Sequence, residues 1–457
     1  MPDLDMQAVE DSASEWFKKL MTYYVIDKKN PKNNFDNFWW CGNCFDTITD
    51  YLLVFKPDDP SAAVNTVLQK YYWFREMHDQ KETVNTWYDD WAWWAIASAK
   101  AWNSSYSEVF GSCATPFADV ARTCWTIVDQ GLGDGVHLGA PNGYTNRENM
   151  KDWNPKPTPV DGWVAPLFDN GPGSGLHGTW QYDIFSNRRE GSAWHGPAEG
   201  NNDSNPSWPL APKWSWGGPF QLTVMNALYL LLTARLEQAS RKNQAVPAAG
   251  VQLKDQFGFL WAWFGKNKDH LLPGGVPGLL KAAGKRAEDG LVVRERVSRY
   301  AVRNGNYDEV YEFYEECTWG GDIGLVLNGL GTYLTVAPEN DPARPVASLM
   351  KALVNGYMSV LFQGRMPQAY YPPGKGVFGR DPDDYRSGIG VFMRGLYQAF
   401  QQDGSPLWEL LKPYNTLRDF LTYSGQWALD QQITKDTDAF DCHNVLATLT
   451  AVKAIPH

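Results

Sequence analysis

Trp87-Tyr88-Asp89-Asp90-Trp91-Ala92-Trp93-Trp94 places two adjacent carboxylates among five aromatic rings at the start of a helical stretch. Trp87, Trp91, Trp94, Ser98 and Trp102 recur at steps of three or four and form one stripe of that helix. At about 100° per residue, Asp90 falls beside Trp87 and Trp94, and Asp89 is turned away from it by one step. Working outward, helical periodicity dominates the chain. Helices are expected near 8–25, 39–56, 60–76, 85–103, 116–130, 220–239, 252–265, 320–335, 344–363, 387–402, 406–424 and 440–453. Twelve helices fit six antiparallel pairs, an all-α architecture. Strand signals are few, and Gly290–Arg294 with Ser298–Arg303 is expected to form a short hairpin.

The helical pattern breaks over 131–219, which is crowded with Gly, Pro, Asn and Trp. A segment this long without regular structure tends to be functional, and a linker would not hold so many aromatics. It is expected to be an ordered excursion over one face of the helical body, within a single domain spanning 1–457.

Composition narrows the function. The chain has 457 residues, 43% hydrophobic and 20% charged, enough to bury a large core. Its net charge of −11 argues against a nucleic-acid partner, which calls for a basic surface, and against docking to anionic lipid. No apolar run is long enough to span a membrane. The outlier is 22 Trp, 22 Tyr and 21 Phe. Buried indoles need a partner for their N–H, so aromatics in this number suggest either packing between many helices or a cleft for flat, polyhydroxylated ligands.

The two carboxylates can be given chemistry. Retaining glycosidases use two carboxyl groups about 5–5.5 Å apart, one as nucleophile and one as acid/base. Neighbouring residues at a helix start reach about that separation. Aromatic desolvation and like-charge repulsion raise one pKa, while the positive helix end keeps the other group ionised. Asp is also a favoured N-cap, so helix capping is the competing reading of Asp-Asp.

At these residues the chain resembles glycoside hydrolase family 76, the endo-α-1,6-mannanases and their fungal cell-wall relatives. Trp39-Trp40 leading to Asp46 and Asp50-Tyr51, the helix from Asn226 to Ala234-Arg235-Leu236, Asp289-Gly-Leu-Val-Val293 and Gly390-Val-Phe-Met-Arg394 are similar to further motifs of that family, in the same order. The resemblance spans about residues 10–450. It implies an (α/α)6 barrel, with Asp89 as nucleophile and Asp90 as general acid/base on an α-mannan-like oligo- or polysaccharide, without metal or cofactor. Candidate substrate contacts are Trp39, Trp40, Trp91, Trp94, Asn226, Trp319, Asp322 and Arg394. The second signature departs from the family's Thr-Tyr-Asn-Gln-Gly, reading Cys317-Thr-Trp-Gly-Gly-Asp322. Gln221-Leu-Thr stands where Lys-Asn-Ala is usual, and the 131–219 excursion is longer. These departures leave the carboxylate pair intact and the glycan linkage open.

Other features are read more simply. Asp322 is a sugar ligand or an N-cap. Asp383-Asp384-Tyr385 is a surface turn. His177 and His195 sit in the excursion and could meet ligand, whereas His443 is expected to be buried structure. No histidine pair has metal-ligand spacing. Cys41-Gly-Asn-Cys44 lacks a second ligand pair and is read as a local disulfide or buried thiols. No signal peptide precedes Asp3, so the protein is either cytoplasmic or secreted and cell-wall associated with Met1 replacing a removed leader. Sequons at Asn103 and Asn202 are compatible with secretion. Rival classes are a glycan-binding barrel without turnover and a sugar epimerase or isomerase using His as acid/base. Oligomeric state is left open.

Overall fold

The computed structural model describes residues 4–30, 34–35, 37–77, 88–103, 110–111, 115–129, 181–182, 219–242, 249–264, 279–294, 296–303, 306–313, 318–337, 343–371, 382–401 and 415–455. Twelve helices are described: α1 (Met6–Met21), α2 (Phe38–Phe55), α3 (Ser61–Met77), α4 (Tyr88–Trp102), α5 (Thr115–Asp129), α6 (Thr223–Lys242), α7 (Gly250–Trp263), α8 (Gly320–Val336), α9 (Ala343–Val360), α10 (Gly388–Gln401), α11 (Asn415–Asp430) and α12 (Ala439–Ala454). Local chemistry starts several of them. Asp5 caps α1 by accepting from the Gln7 and Ala8 amides, and Asn37 caps α2 through the Trp40 amide. Asp438 and Asp441 form a reciprocal capping box at α12.

The even-numbered helices close a ring. α2 packs on α4, α4 on α6, α6 on α8, α8 on α10, α10 on α12, and α12 returns to α2. The odd-numbered helices lie outside: α1 and α11 on α12, α5 on α4, α7 on α6, α9 on α8. Helix α3 covers α2 and α4 through Phe74 against Phe38 and Tyr71 against Trp94. This is an (α/α)6 barrel. Burial follows the layering. Every residue of α8 from Gly320 to Tyr333 is buried, as befits a helix with neighbours on all sides. Outer α5 buries one face, through Phe117, Val120, Ala121, Cys124 and Val128.

The inner helices run parallel, with their N-termini at one end. Gly320, opening α8, lies against the Gly388 carbonyl that opens α10. The Gly390 amide donates to Asn444 in the first turns of α12, and the Trp94 indole of α4 donates to the Phe38 carbonyl that opens α2. On α6, Leu230 and Leu231 face Gly329 of α8 at matching depth. Where α8 crosses α10 the backbones nearly touch: a Cβ on Gly395 would collide with the Gly324 carbonyl.

Strands are short and peripheral. They are β1 (Gln181–Tyr182), β2 (Pro219–Leu222), β3 (Leu280–Ala282), β4 (Leu291–Val293), β5 (Arg296–Arg303), β6 (Asn306–Phe313), β7 (Thr318–Trp319), β8 (Phe362–Gln363), β9 (Met366–Pro367) and β10 (Tyr370–Tyr371). The expected hairpin between 290–294 and 298–303 does not form. β4 pairs with β3, across a turn clasped by Arg286 on Asp289 at 2.7 Å and closed by Gly290 at φ +83°. β5 pairs with β6 across Asn304-Gly305, a dipeptide favoured in two-residue hairpins, and with β2. The β2 pairing also explains why α6 starts at Thr223 rather than near 220. Helix α11 runs on past Gly425 to Asp430 instead of ending at 424, because Gly425 is a packing notch against Leu4 and Val452, not a stop. The excursion at 131–219 lies outside the described residues, save β1 and Pro219. No helix among the described residues is long and apolar enough to cross a membrane.

The α8–α10 crossing leaves no room for a methyl group. Gly395→Ala is therefore expected to lower unfolding free energy by about 1–3 kcal/mol, read from denaturant titration with unchanged helical circular dichroism.

Candidate functional site

Parallel inner helices bring their amino ends to one mouth of the barrel. Trp39 and Trp40 stand in the first turn of α2, Asp89, Asp90 and Trp91 in the first turn of α4, and Trp319 and Asp322 at the start of α8. Residues far apart in sequence thus gather at one end. The six N-termini also direct their partial positive charge there, which favours carboxylates.

Helical spacing sorts the α4 residues. Asp89, Trp93, Ile96 and Lys100 recur at steps of four, three and four, and this stripe faces the barrel axis. Lys100 reaches Asp46 and Asp50 of α2 at 2.9 and 2.7 Å, and Arg235 of α6 bonds the Ile96 carbonyl at 2.6 Å. Asp89 is half-buried, while Asp90, one step round the helix, is 6% exposed. Below them Trp93 lies 6.3 Å from Trp39 and 5.9 Å from the Arg394 guanidinium. Trp93 is 2% exposed, so this ring forms a buried floor beneath the two carboxylates.

Several sequence-derived contacts fall elsewhere. Trp94 is sealed in the wall between α2, α3 and α4, its N–H given to the Phe38 carbonyl at 2.8 Å. Trp91 is buried 4.9 Å from Phe38. The aromatic stripe is therefore the packing face of α4, and the axis-facing indole is Trp93, which sequence reasoning missed. Trp87 lies outside the described residues. Asn226 is buried and accepts from Gln256 of α7 at its carbonyl and its side-chain oxygen, tying an outer helix to the ring. Trp319 is buried, bonds the Tyr385 carbonyl at 2.9 Å and meets that ring edge-on. Trp319 itself occupies the N-cap position of α8. Asp322 is thus a first-turn residue rather than the cap, fully buried. Trp40 packs on Phe440 at 3.9 Å, and Trp39 lies 5.3 Å from the same ring.

Arg394 belongs to the interior. It is 2% exposed, and its guanidinium bonds the Asn43 carbonyl, Asn43 Oδ1 at 2.7 Å and Asp46 at 3.5 Å. A side chain held this way supports the floor of the barrel rather than touching a ligand above it. Asp46 is the hub: Lys100 and Arg235 each approach it at 2.9 Å, from the adjacent ring helices α4 and α6. Burial alone would raise its pKa, but Arg235, Lys100 and Arg394 hold it far below the usual carboxylate range. Burial, with Asp46 nearby, pushes Asp50 up to about 6 against the pull of Lys100. Burial lowers both Lys100 and Arg394.

His443, the one histidine among the described residues, lies beneath α10, with Nδ1 2.8 Å from Thr47 Oγ1 and Nε2 3.3 Å from the Ser387 carbonyl. Burial, then the Arg394 charge, hold its pKa well below the ordinary value. It is a neutral structural group, as expected. His177 and His195 lie outside the described residues. Asp383-Asp384-Tyr385 belongs to a 3₁₀ turn, Pro382–Ser387. Cys41 and Cys44 are buried free thiols, not a disulfide, and burial pushes the Cys44 thiol well up. Asn103 is buried and bonds Gln238 at 2.6 Å, so it cannot accept a glycan in the folded chain. The Asn202 sequon is outside the described residues. Among those residues no cluster of three or more His, Cys, Asp or Glu side chains could hold a metal ion.

Comparison with solved structures adds the decisive likeness. The α-1,6-mannanase GH76A of Salegentibacter sp. HEL1_6 superposes at a TM-score of 0.52 over 98% of both chains, at 12% identity. The chain has the fold of the GH76 α-1,6-mannanases. An inactive variant of that enzyme, with two consecutive aspartates changed to asparagine and α-1,6-mannotriose bound, matches at 0.51 over 98% of both chains, at 11% identity. The Lin0763 protein of Listeria innocua matches at 0.53 over 97% of both chains, at 13% identity. A sugar epimerase from a ruminal bacterium matches at 0.48 over 98% of both chains, at 9% identity. No family model matches the chain. No curated protein matches its sequence.

Two outcomes test the floor. Asp46→Asn removes the carboxylate shared by three buried cations and leaves only Lys100 with another, Asp50, so unfolding free energy should fall by about 3–5 kcal/mol in denaturant titration. His443 stays neutral in the folded chain, so stability is lost as pH falls through its unfolded pKa near 6.5. Asp50, with a raised pKa, works the other way: below pH about 6 the folded chain holds a proton that the unfolded chain releases, down to about 3.8. His443→Gln keeps that contribution. Relative to the variant, the wild type should therefore lose about 1 kcal/mol between about pH 6.5 and 5.5.

Proposed function

We propose that the protein is a retaining glycoside hydrolase acting on α-mannosidic linkages, with α-1,6-mannan as the first substrate to test. The observation that carries this is the Asp89–Asp90 pair at the amino end of α4, at the mouth of an (α/α)6 barrel of the α-1,6-mannanase fold. That an inactive mannanase of this fold has two consecutive aspartates replaced supports placing the chemistry at this pair.

Asp89 lies on the axis-facing stripe, where the helix end favours an ionised group, and it is the nucleophile. Asp90 is the more buried, an environment that favours the protonated acid, and it donates to the leaving oxygen. Attack by Asp89 on the anomeric carbon breaks the glycosidic bond and leaves a covalent glycosyl ester. Asp90, now a carboxylate, takes a proton from water, which displaces Asp89 with overall retention. A sugar hydroxyl in place of water gives transglycosylation. Half-buried Trp39 offers a ring face to the bound sugar, while buried Trp93 and Asp322 back the mouth from beneath. An extended glycan substrate fits a secreted or cell-wall location.

Asp90→Asn should cost about 10²–10⁴-fold in turnover of α-1,6-mannan, with a much smaller loss on an aryl α-mannoside whose leaving group needs no proton. Asp89→Asn should abolish both, with the product anomer read by NMR in the wild type. Release of a glycan other than mannan, again lost in both variants, would keep the mechanism and move the specificity. Absence of release from every linkage tested, or release indifferent to both substitutions, would overturn the proposal. Sugar interconversion without chain cleavage would replace it with an epimerase.

A further inference from the structure

A second feature with carbohydrate chemistry lies outside the barrel. A cavity of about 330 Å³ opens between the C-terminal turns of α1, the end of α11 and the start of α12. Its walls include Trp16 of α1, Trp427 of α11, Gln431 and Gln432, and the loop residues Thr434 and Asp436. Trp16 is buried and Trp427 is half-buried, so one indole forms the back wall and the other an exposed side wall. Among the described residues neither indole N–H has a hydrogen-bond acceptor. Gln432, Thr434 and Asp436 are exposed.

The lining selects a ligand class. No Lys or Arg lines the cavity, and Asp436 and Asp441 do, which disfavours phosphates, uronates and other anions. Asp441 is already compensated, with one oxygen on Arg386 at 2.8 Å and the other on the Asp438 amide at 3.0 Å. That leaves Asp436 as a lone exposed charge and gives no strong pull on a cation. Indole faces with amides, hydroxyls and a carboxylate match a neutral ligand that has a C–H face and a rim of hydroxyl groups. The volume is at the lower end of small-ligand clefts and suits about one or two sugar rings.

We propose that this cavity is a secondary binding site for a neutral saccharide, separate from the carboxylate pair. It sits at the same end of the barrel. Asp441 on its wall follows Phe440, whose ring packs on Trp40 in the first turn of α2. A long glycan held here stays tethered near the mouth, raising its local concentration there. Which saccharide binds rests on the hydrolase reading above; that a neutral saccharide binds does not.

The test is affinity gel electrophoresis of the full chain with Asp89→Asn, in gels containing α-1,6-mannan, a β-glucan, a xylan or no polymer. Trp427→Ala and, separately, the exposed Gln432→Ala are added in that background. Retardation by at least one polymer is expected, weakened roughly five- to tenfold by Trp427→Ala and to a lesser degree by Gln432→Ala. In the active chain, Trp427→Ala should leave turnover of α-1,6-mannotriose unchanged while lowering it on polymer. Retardation unchanged in both variants, or absent in every gel, overturns the site. If no glycan is cleaved and retardation still depends on Trp427, the secondary site stands and the hydrolase reading falls. If mannan is cleaved and Trp427 is without effect, the reverse holds.

Discussion

Asp46 anchors the barrel. A ring of six helices surrounds an axis that no single pair of helices can fill, and this chain fills its floor with charge. Asp46 sits two to three turns down α2 and receives Lys100 from α4, Arg235 from α6 and Arg394 from α10. Helices α6 and α10 are not ring neighbours of α2, so these bonds span the interior. They fix the rotation of four inner helices about their own axes. The rotation of α4 is what aims Asp89 and Trp93 inward, so the candidate site above inherits its geometry from the ion cluster beneath.

Charge in such a place is costly unless it is paired, and the pairing here is shared rather than one-to-one. Asp50 supports Lys100 and accepts from Gln398 at 2.8 Å, while Asn43 takes two bonds from Arg394. Burial lowers the Lys100 pKa and raises that of Asp50. The Lys100 shift brings a cluster of three cations and two carboxylates nearer to neutrality, whereas the Asp50 shift works against it. The aromatic layer covers it: Trp93 lies over Arg394, and Trp39 beside Trp93.

Much of the fold was legible in the sequence, because helical periodicity depends on local spacing. All twelve expected helices are present, most within a few residues of the expected bounds. The errors came where a residue has two physical uses. Gly425 reads as a stop but is a notch between helices. Asn304-Gly305 was overlooked, and the strand before it was given the wrong partner. The site was legible in part. Asp89 and Asp90 were singled out by their setting, and Trp39, Trp319 and Asp322 lie at the same end of the barrel. Periodicity failed to tell Trp93 from Trp94, because an inner helix is buried on every face and its stripe carries no inside or outside. Arg394 was named for its motif, yet its partner Asn43 lies 351 residues earlier, a pairing that only ring closure reveals.

The shared geometry at Asp46 also bears on how such a chain can change over generations. An isolated ion pair can be lost in two steps, with one awkward intermediate. Here any one replacement strands a charge belonging to several partners on different helices. Substitutions at Asp46, Lys100, Arg235 and Arg394 are therefore expected to be coupled, while those at outer-helix positions are expected to act one at a time. Two descendants could share little identity overall and still carry the same four residues, or else a wholly different floor with few viable forms between.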